Sequence, residues 1–161
     1  MATSTLIQYL NKTQNTIFGG TTPVGESSSD RSQTETFLAE TAIVAGDWVE
    51  FDTAQTGASK VLVVKQATAN GLGNPLVCGV ALESVTGTAT SPEPVKVCVA
   101  GYVSAANVAN AVAAAGVALT VEAAGLGRAV AITAADTGPA CGVSLSAPVA
   151  NVAEVWVYKQ F

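Results

Sequence analysis

The sequence contains no histidine. That removes histidine-based nucleophile triads, His-containing zinc sites and the usual near-neutral proton shuttle. Cysteine is limited to Cys78, Cys98 and Cys141. An odd number without C-x-x-C spacing is neither a disulfide framework nor a metal knuckle. The three read as small apolar core residues in a reducing compartment. Charge is also scarce, at 12% of 161 residues, about half the usual share. A monomer this poor in charge would struggle to cover its surface, so other chains are expected to bury part of it. The only arginines are Arg31 and Arg128, and the net charge is −5. Nucleic-acid binding needs a basic footprint, so it is excluded. Aromatics make up 6% and form no spaced stacking platform. Trp48 and Trp156 read as core or interface anchors.

The motifs of common enzymes are missing too. Gly71-Leu-Gly73 and Gly125-Leu-Gly127 do not complete a phosphate loop and read as turns. No serine sits in a G-x-S-x-G elbow, and no acidic loop has EF-hand spacing. Asp47 follows Gly46 at the start of a strand, where an acid commonly forms a turn. Glu50 and Asp52 alternate on one strand face, as solvated residues do. No catalytic, metal or cofactor-binding residue is assigned, no cofactor is expected, and the chain is read as a non-enzyme. The uncharged range 97–121 is long enough to span a bilayer. It is built from Ala, Gly, Ser, Asn and Val, which insert poorly beside leucine, so no membrane partner is expected.

What is present is a polar start followed by many short β-type runs. Residues 1–38 are rich in Gly, Ser and Thr over 13–30 and bury too little to offset their ordering entropy. They read as an extended N-terminal arm, with Ile17, Phe18 and Phe37 among its apolar anchors. Such anchors suit an arm that docks on a neighbouring subunit, although a frayed terminus fits the composition equally well. Residues 39–161 read as one β-rich domain. Short valine-rich runs separated by Gly, Pro, Asn or Thr predict an all-β sandwich or barrel of about eight short strands. The alanine-rich stretch 104–115 predicts one short helix, capped by Ser104 and ended by Gly116.

The β region also repeats itself. Cys78-Gly-Val-Ala-Leu82 matches Cys141-Gly-Val-Ser-Leu145 at an offset of 63 residues. Gly46-Asp-Trp-Val-Glu-Phe51 lies on Gly116-Val-Ala-Leu-Thr-Val121 at an offset of 70. Lys60-Val-Leu-Val-Val64 on Arg128-Ala-Val-Ala-Ile132 gives 68, and Val95–Val99 on Val155–Lys159 gives 60. Two four-stranded units are therefore expected to build the sandwich or barrel. In Val155-Trp156-Val157-Tyr158 both faces are apolar. The second face is expected to be covered, by a sheet, the arm, another subunit or its own loops.

Taken together, Ala45-Gly46-Asp47-Trp48-Val49, Val97–Val103, the alanine-rich stretch into Gly116–Val121, Cys141-Gly142-Val143 and Val155-Trp-Val157 resemble the capsid decoration, or cement, proteins of tailed bacteriophages. The resemblance covers about residues 40–161. It implies a structural virion protein on the outer surface of the head, made in the host cytoplasm. It implies the major capsid protein as partner, stabilised contacts between capsid subunits, and a homotrimer on the capsid. Ile17, Phe18, Phe37, Trp156 and Tyr158 are the expected capsid or inter-subunit contacts. A phage tail or fibre component, or a receptor-binding module, is the alternative.

Overall fold

A computed structural model describes residues 32–68, 74–112, 114–121, 127–133 and 138–160. The protein is all-β. Its strands are β1 (Gln33–Ala39), β2 (Ala42–Ile43), β3 (Trp48–Phe51), β4 (Val63–Gln66), β5 (Val77–Ala81), β6 (Val85–Thr86), β7 (Glu93–Asn107), β8 (Ala118–Val121), β9 (Ala129–Ala131), β10 (Gly142–Ser144) and β11 (Val152–Val157). A short 3₁₀ turn covers Gly57–Val61. Strands β2 and β6 form a small separate ribbon. The other nine belong to one sheet in the order β1-β4-β3-β5-β7-β11-β10-β8-β9.

The sheet closes on itself. Strand β1 pairs in parallel with β4 and antiparallel with β7, which joins the two ends of β1-β4-β3-β5-β7. The result is a five-stranded barrel without a free edge. The remaining strands follow the same plan. Strands β8, β10 and β11 pair in turn, β9 pairs β8, and the far half of β7 pairs β11. Just past β7, Val108 bridges in parallel to Ala129 of β9, as Ala39 does to Val64 of β4. Two barrels therefore share β7. Its first half is the last strand of the first barrel, and its second half is the first strand of the second.

The ladders place the duplication in register, with a one-residue shift where β11 bulges between Ala153 and Val155. Val49 pairs Gly79, and Leu119 pairs Gly142, so the offsets are 119 − 49 = 70 and 142 − 79 = 63. Both agree with the sequence repeat. Val64 and Ala129 give 129 − 64 = 65. Cys98 and Trp156, opposite Val80 and Val143, give 156 − 98 = 58. These two correct the sequence alignments of 68 and 60. A two-residue slip keeps every side chain on its face, and valine-rich strands tolerate it unnoticed. A three-residue slip reverses the faces. The first strands match as well: Leu38 lies opposite Pro94 and Asn107 opposite Val152, an offset of 107 − 38 = 69.

The repeated Cys-Gly-Val has a physical cause in this arrangement. Cys78 Sγ donates to Val49 O at 3.4 Å, and Cys141 Sγ donates to Leu119 O at 3.3 Å. These are the same contact in each barrel. The following glycines lie against the next strand. A Cβ on Gly142 would sit 2.6 Å from Trp156 O, and one on Gly79 would press still closer on the equivalent Cys98 O. Only glycine lets these backbones approach.

The expected helix over 104–115 is not formed. Ser104–Asn107 continue β7, because Ala106 and Asn107 fill ladder positions opposite Ala153 and Val152. The chain then turns, with Val112 N–H donating to Ala109 O at 3.0 Å. Tertiary pairing overrides the helix propensity of alanine. The small side chains are needed here for space, since Ala106 is wholly buried. Strand β1 crosses the expected arm–domain boundary at 38/39. No helix among the described residues is long and apolar enough to cross a membrane.

Candidate functional site

The most heavily built region is the joint between the barrels. Gly46, Asp47 and Trp48 lead into β3 of the first barrel and reach across to the second. Trp48 N–H donates to Gly127 O at 2.7 Å, and Asn107 N–H donates to Gly46 O at 2.8 Å. The Trp48 indole donates through Nε1 to Asn107 O at 3.1 Å. The buried Asp47 carboxylate accepts from Val44 N–H at 2.9 Å, Gln66 Nε2 at 2.7 Å and Asn107 Nδ2 at 2.8 Å. A buried carboxylate is costly unless its lone pairs are met. These three neutral donors come from both barrels, so they satisfy the charge and hold the joint.

The indole itself belongs to the second barrel. Trp48 is 0% exposed and packs with Val108, Leu119, Val155 and Val157. Its Cη2 lies 2.9 Å from where a Cβ on Gly142 would stand. Space for it comes from the repeat. The first barrel is filled by Phe37, Phe51, Val64 and Val95. Their counterparts are Ala106, Val121, Ala129 and Ala153. Val108 and Leu119, which replace Ala39 and Val49, restore only part of that volume. The outer face of β3-β5-β7 (Trp48, Val80 and Cys98, neighbours in register) is thus buried against the second barrel.

The equivalent outer face of the second barrel is Ala118, Val143 and Trp156, again neighbours in register. Among the described residues nothing covers it: Ala118 is exposed and Val143 and Trp156 are half-buried. The second apolar face anticipated for the last strand is therefore left open by the described residues. Trp156 and Tyr158 also border a shallow groove of about 590 Å³ with Gln33, Gly101 and Lys159. Lys159 Nζ donates to Gln33 Oε1 at 3.2 Å across its rim. Ser32 Oγ donates to Tyr102 O at 3.2 Å. Tyr102 lies opposite Trp156. Its phenol is held above the ordinary value by burial first, then by the Glu154 carboxylate.

The structure thus brings two of the sequence-derived contact residues, Trp156 and Tyr158, to one surface. Phe37 lies elsewhere. It is buried in the first barrel and meets Phe51 edge to face at 5.8 Å. Ile17 and Phe18 lie outside the described residues. Glu50 corrects another expectation, because it is buried rather than solvated. It accepts from Thr68 N–H at 3.0 Å and Thr68 Oγ1 at 3.2 Å. It also accepts from Asn74 Nδ2 and meets Lys65 at 3.7 Å. This carboxylate ties together the two ends of the β4–β5 connection. Lys65 also pairs with Asp52 at 3.2 Å. Among the described residues no cluster of three or more Cys, Asp or Glu could hold a metal ion. The joint was missed in sequence because its members, 46–48, 66, 107 and 127, are scattered. The broken repeat at Asp47 and Trp48 was the available signal.

No family model matches the chain, and no curated protein matches it in sequence. Solved structures do share the fold. The head fibre gp8.5 N base of bacteriophage phi29 superposes with a TM-score of 0.53 at 15% identity, covering 80% of this chain and 95% of that one. A chain from the capsid of Myoviridae phage XM1 gives 0.51 at 17% identity, covering 81% and 85%. At this identity the likeness is one of fold.

Proposed function

We propose that the protein is a structural component of a bacteriophage head, a decoration or cement protein. On this reading it is made in the host cytoplasm, binds the outer surface of the shell and strengthens contacts between major capsid protein subunits. The observation that carries the reading is the fold shared over four fifths of the chain with two phage head structures. The joint supports it. Two closed barrels locked by buried hydrogen bonds make a stiff body, and every buried carboxylate found is used as a structural tie. Stiffness suits a clip that must resist separation of its partners, since many modest contacts act together through avidity. The negative net charge of −5 keeps such a protein from competing for packaged DNA. Residues 1–38 and the Trp156–Tyr158 surface are the proposed contacts with capsid or with neighbouring copies in a trimer.

The test is quantitative mass spectrometry of purified particles. A copy number equal to the major capsid protein, or a simple fraction of it, is the expected result. Absence from particles overturns the reading. A fibre component is the second reading, favoured because one neighbour is the base of a head fibre. A handful of copies per particle would select it.

A further inference from the structure

The duplication yields two of each half of the inter-barrel joint, and among the described residues one of each is used. The used donor face is Trp48, Val80 and Cys98. Its unused counterpart is Ala118, Val143 and Trp156. The used acceptor side includes Asn107 and Gly127. With offsets of 69 and 65, its unused counterparts are Leu38 and Leu62 of the first barrel. These are exposed: Leu38 by 39%, Leu62 by 52% and the adjacent Val61 by 57%. Leu38 N–H donates to Leu62 O at 2.8 Å, which holds the patch together.

We propose that a second copy of this chain joins these two surfaces, with Ala118–Val143–Trp156 of one copy against Leu38–Val61–Leu62 of the next. The internal joint is the template. All six residues are uncharged and apolar, and grouped exposed apolar side chains mark interaction sites. Ala118 stands where Trp48 does, and Trp156, at the position of Cys98, supplies the aromatic anchor of this face. The first barrel is already filled by Phe37 and Phe51, so the contact is face to face rather than a plug. It is heterologous, so it closes a ring or extends a chain of copies.

The internal template also sets which positions meet. Trp48 N–H reaches Gly127 O, while the counterpart Leu62 O is already taken by Leu38 N–H, so Ala118 of one copy is placed beside Leu62 of the next by side-chain packing and not by that hydrogen bond. The test uses the full chain carrying Ala118→Cys or Leu62→Cys, since the native thiols are buried. The two variants are mixed at millimolar concentration, oxidised, and run on a non-reducing gel. Covalent dimers in the mixture, monomers from each variant alone and a ladder from the double variant are expected. Thr53→Cys mixed with Leu62→Cys is the control. Dimers no more abundant than in the control, or equal dimers from Ala118→Cys alone, overturn the proposal. Either failure leaves the virion reading standing, because that rests on particle composition.

Discussion

Replacing Trp48 with alanine tests whether the second barrel depends on a side chain from the first. The indole is fully buried, and a buried aromatic removes roughly 150–250 Å² from water. At about 25 cal/mol per Å² that is about 4–6 kcal/mol of transfer free energy. Measured Trp→Ala losses in cores run about 3–5 kcal/mol. The variant also strands the Asn107 carbonyl that accepts from Nε1 at 3.1 Å, which costs about 1 kcal/mol at a half-buried site. Ala106, Ala129 and Ala153 share that core and are too short to fill the space, so only Leu119 and the valines could relax into it. A loss of about 4 kcal/mol is expected, a large part of the roughly 5–15 kcal/mol that folds a domain. In urea, with a slope of about 2 kcal/mol per molar, the midpoint should fall by about 2 M. Circular dichroism is the readout, since Trp156 still fluoresces. Trp156→Ala, at the half-exposed face, should cost about 1 kcal/mol or less. A Trp48→Ala loss below about 1 kcal/mol would show that the indole does not fill the second barrel.

Three further outcomes are expected. Ala150 (φ 52°) and Asn151 (φ 64°) form the two-residue turn between Val149 and Val152. A left-handed alanine costs about 1–2 kcal/mol and glycine's extra chain entropy about 0.5–1, so Ala150→Gly should raise stability by about 0.5–1 kcal/mol in urea unfolding; a decrease would refute the strained turn. Burial raises the thiol pKa of Cys78, Cys98 and Cys141. The native protein should therefore resist alkylation at neutral pH and take three adducts after denaturation, by intact mass; fast native labelling of any thiol would contradict its burial. The Asp52 pKa is lowered chiefly by the Gln55 hydrogen bond, with further help from Ala54 N–H and Lys65 against the opposing cost of burial. A depressed folded value means its stabilisation is present above the ordinary carboxylate range and is lost as pH falls through the folded value. Asp52→Asn should flatten the loss of stability below about pH 4, where a free aspartate titrates; an unchanged slope would remove Asp52 from the acid response.

The residues that could be read from sequence are those doing the same job twice. Cys78-Gly79-Val80 and Cys141-Gly142-Val143 were legible as a repeat because thiol, close backbone approach and outward valine recur at fixed spacing. The all-β class was legible from strand-length apolar runs. The helix expected over 104–115 failed because alanine serves two ends. It favours helix in isolation, and it is also the smallest chiral filler for a barrel that must admit an indole. Strand β1 was assigned to the arm because the polar run 13–30 set the character of that stretch and the valine-rich runs begin only after Ala39; the strand itself opens on Gln33-Thr-Glu-Thr36. Three of those four are exposed, and the strand is earned by closure of the first barrel rather than by its own burial. Glu50 was read as solvated because nothing in its own strand shows that the β4–β5 connection folds back over it. The two-faced apolar pattern of β11 singled out Trp156 and Tyr158, which are half-buried and exposed, respectively, against the described residues. Phe37 was not placed correctly, since an apolar anchor and a core residue look alike in a chain read one position at a time.

The differences between the repeats carry as much information as the matches. At the internal joint the polar members are Asp47, Gln66 and Asn107, with hydrogen bonds of 2.7 Å and 2.8 Å. At the unused copy of the joint the same positions hold Val117, Ala131 and Leu38. Each polar residue is replaced by an apolar one. A buried hydrogen-bonded carboxylate is directional and costly to separate, because either half alone leaves unmet polar groups. An apolar pair separates without stranding any polar atom. The internal joint is therefore the permanent one, and the contact proposed between copies is the reversible one. That division suits a component that must fold as a single body first and associate later. On the proposed role, the association follows assembly of the shell, when local concentration on a crowded surface makes weak apolar contacts sufficient.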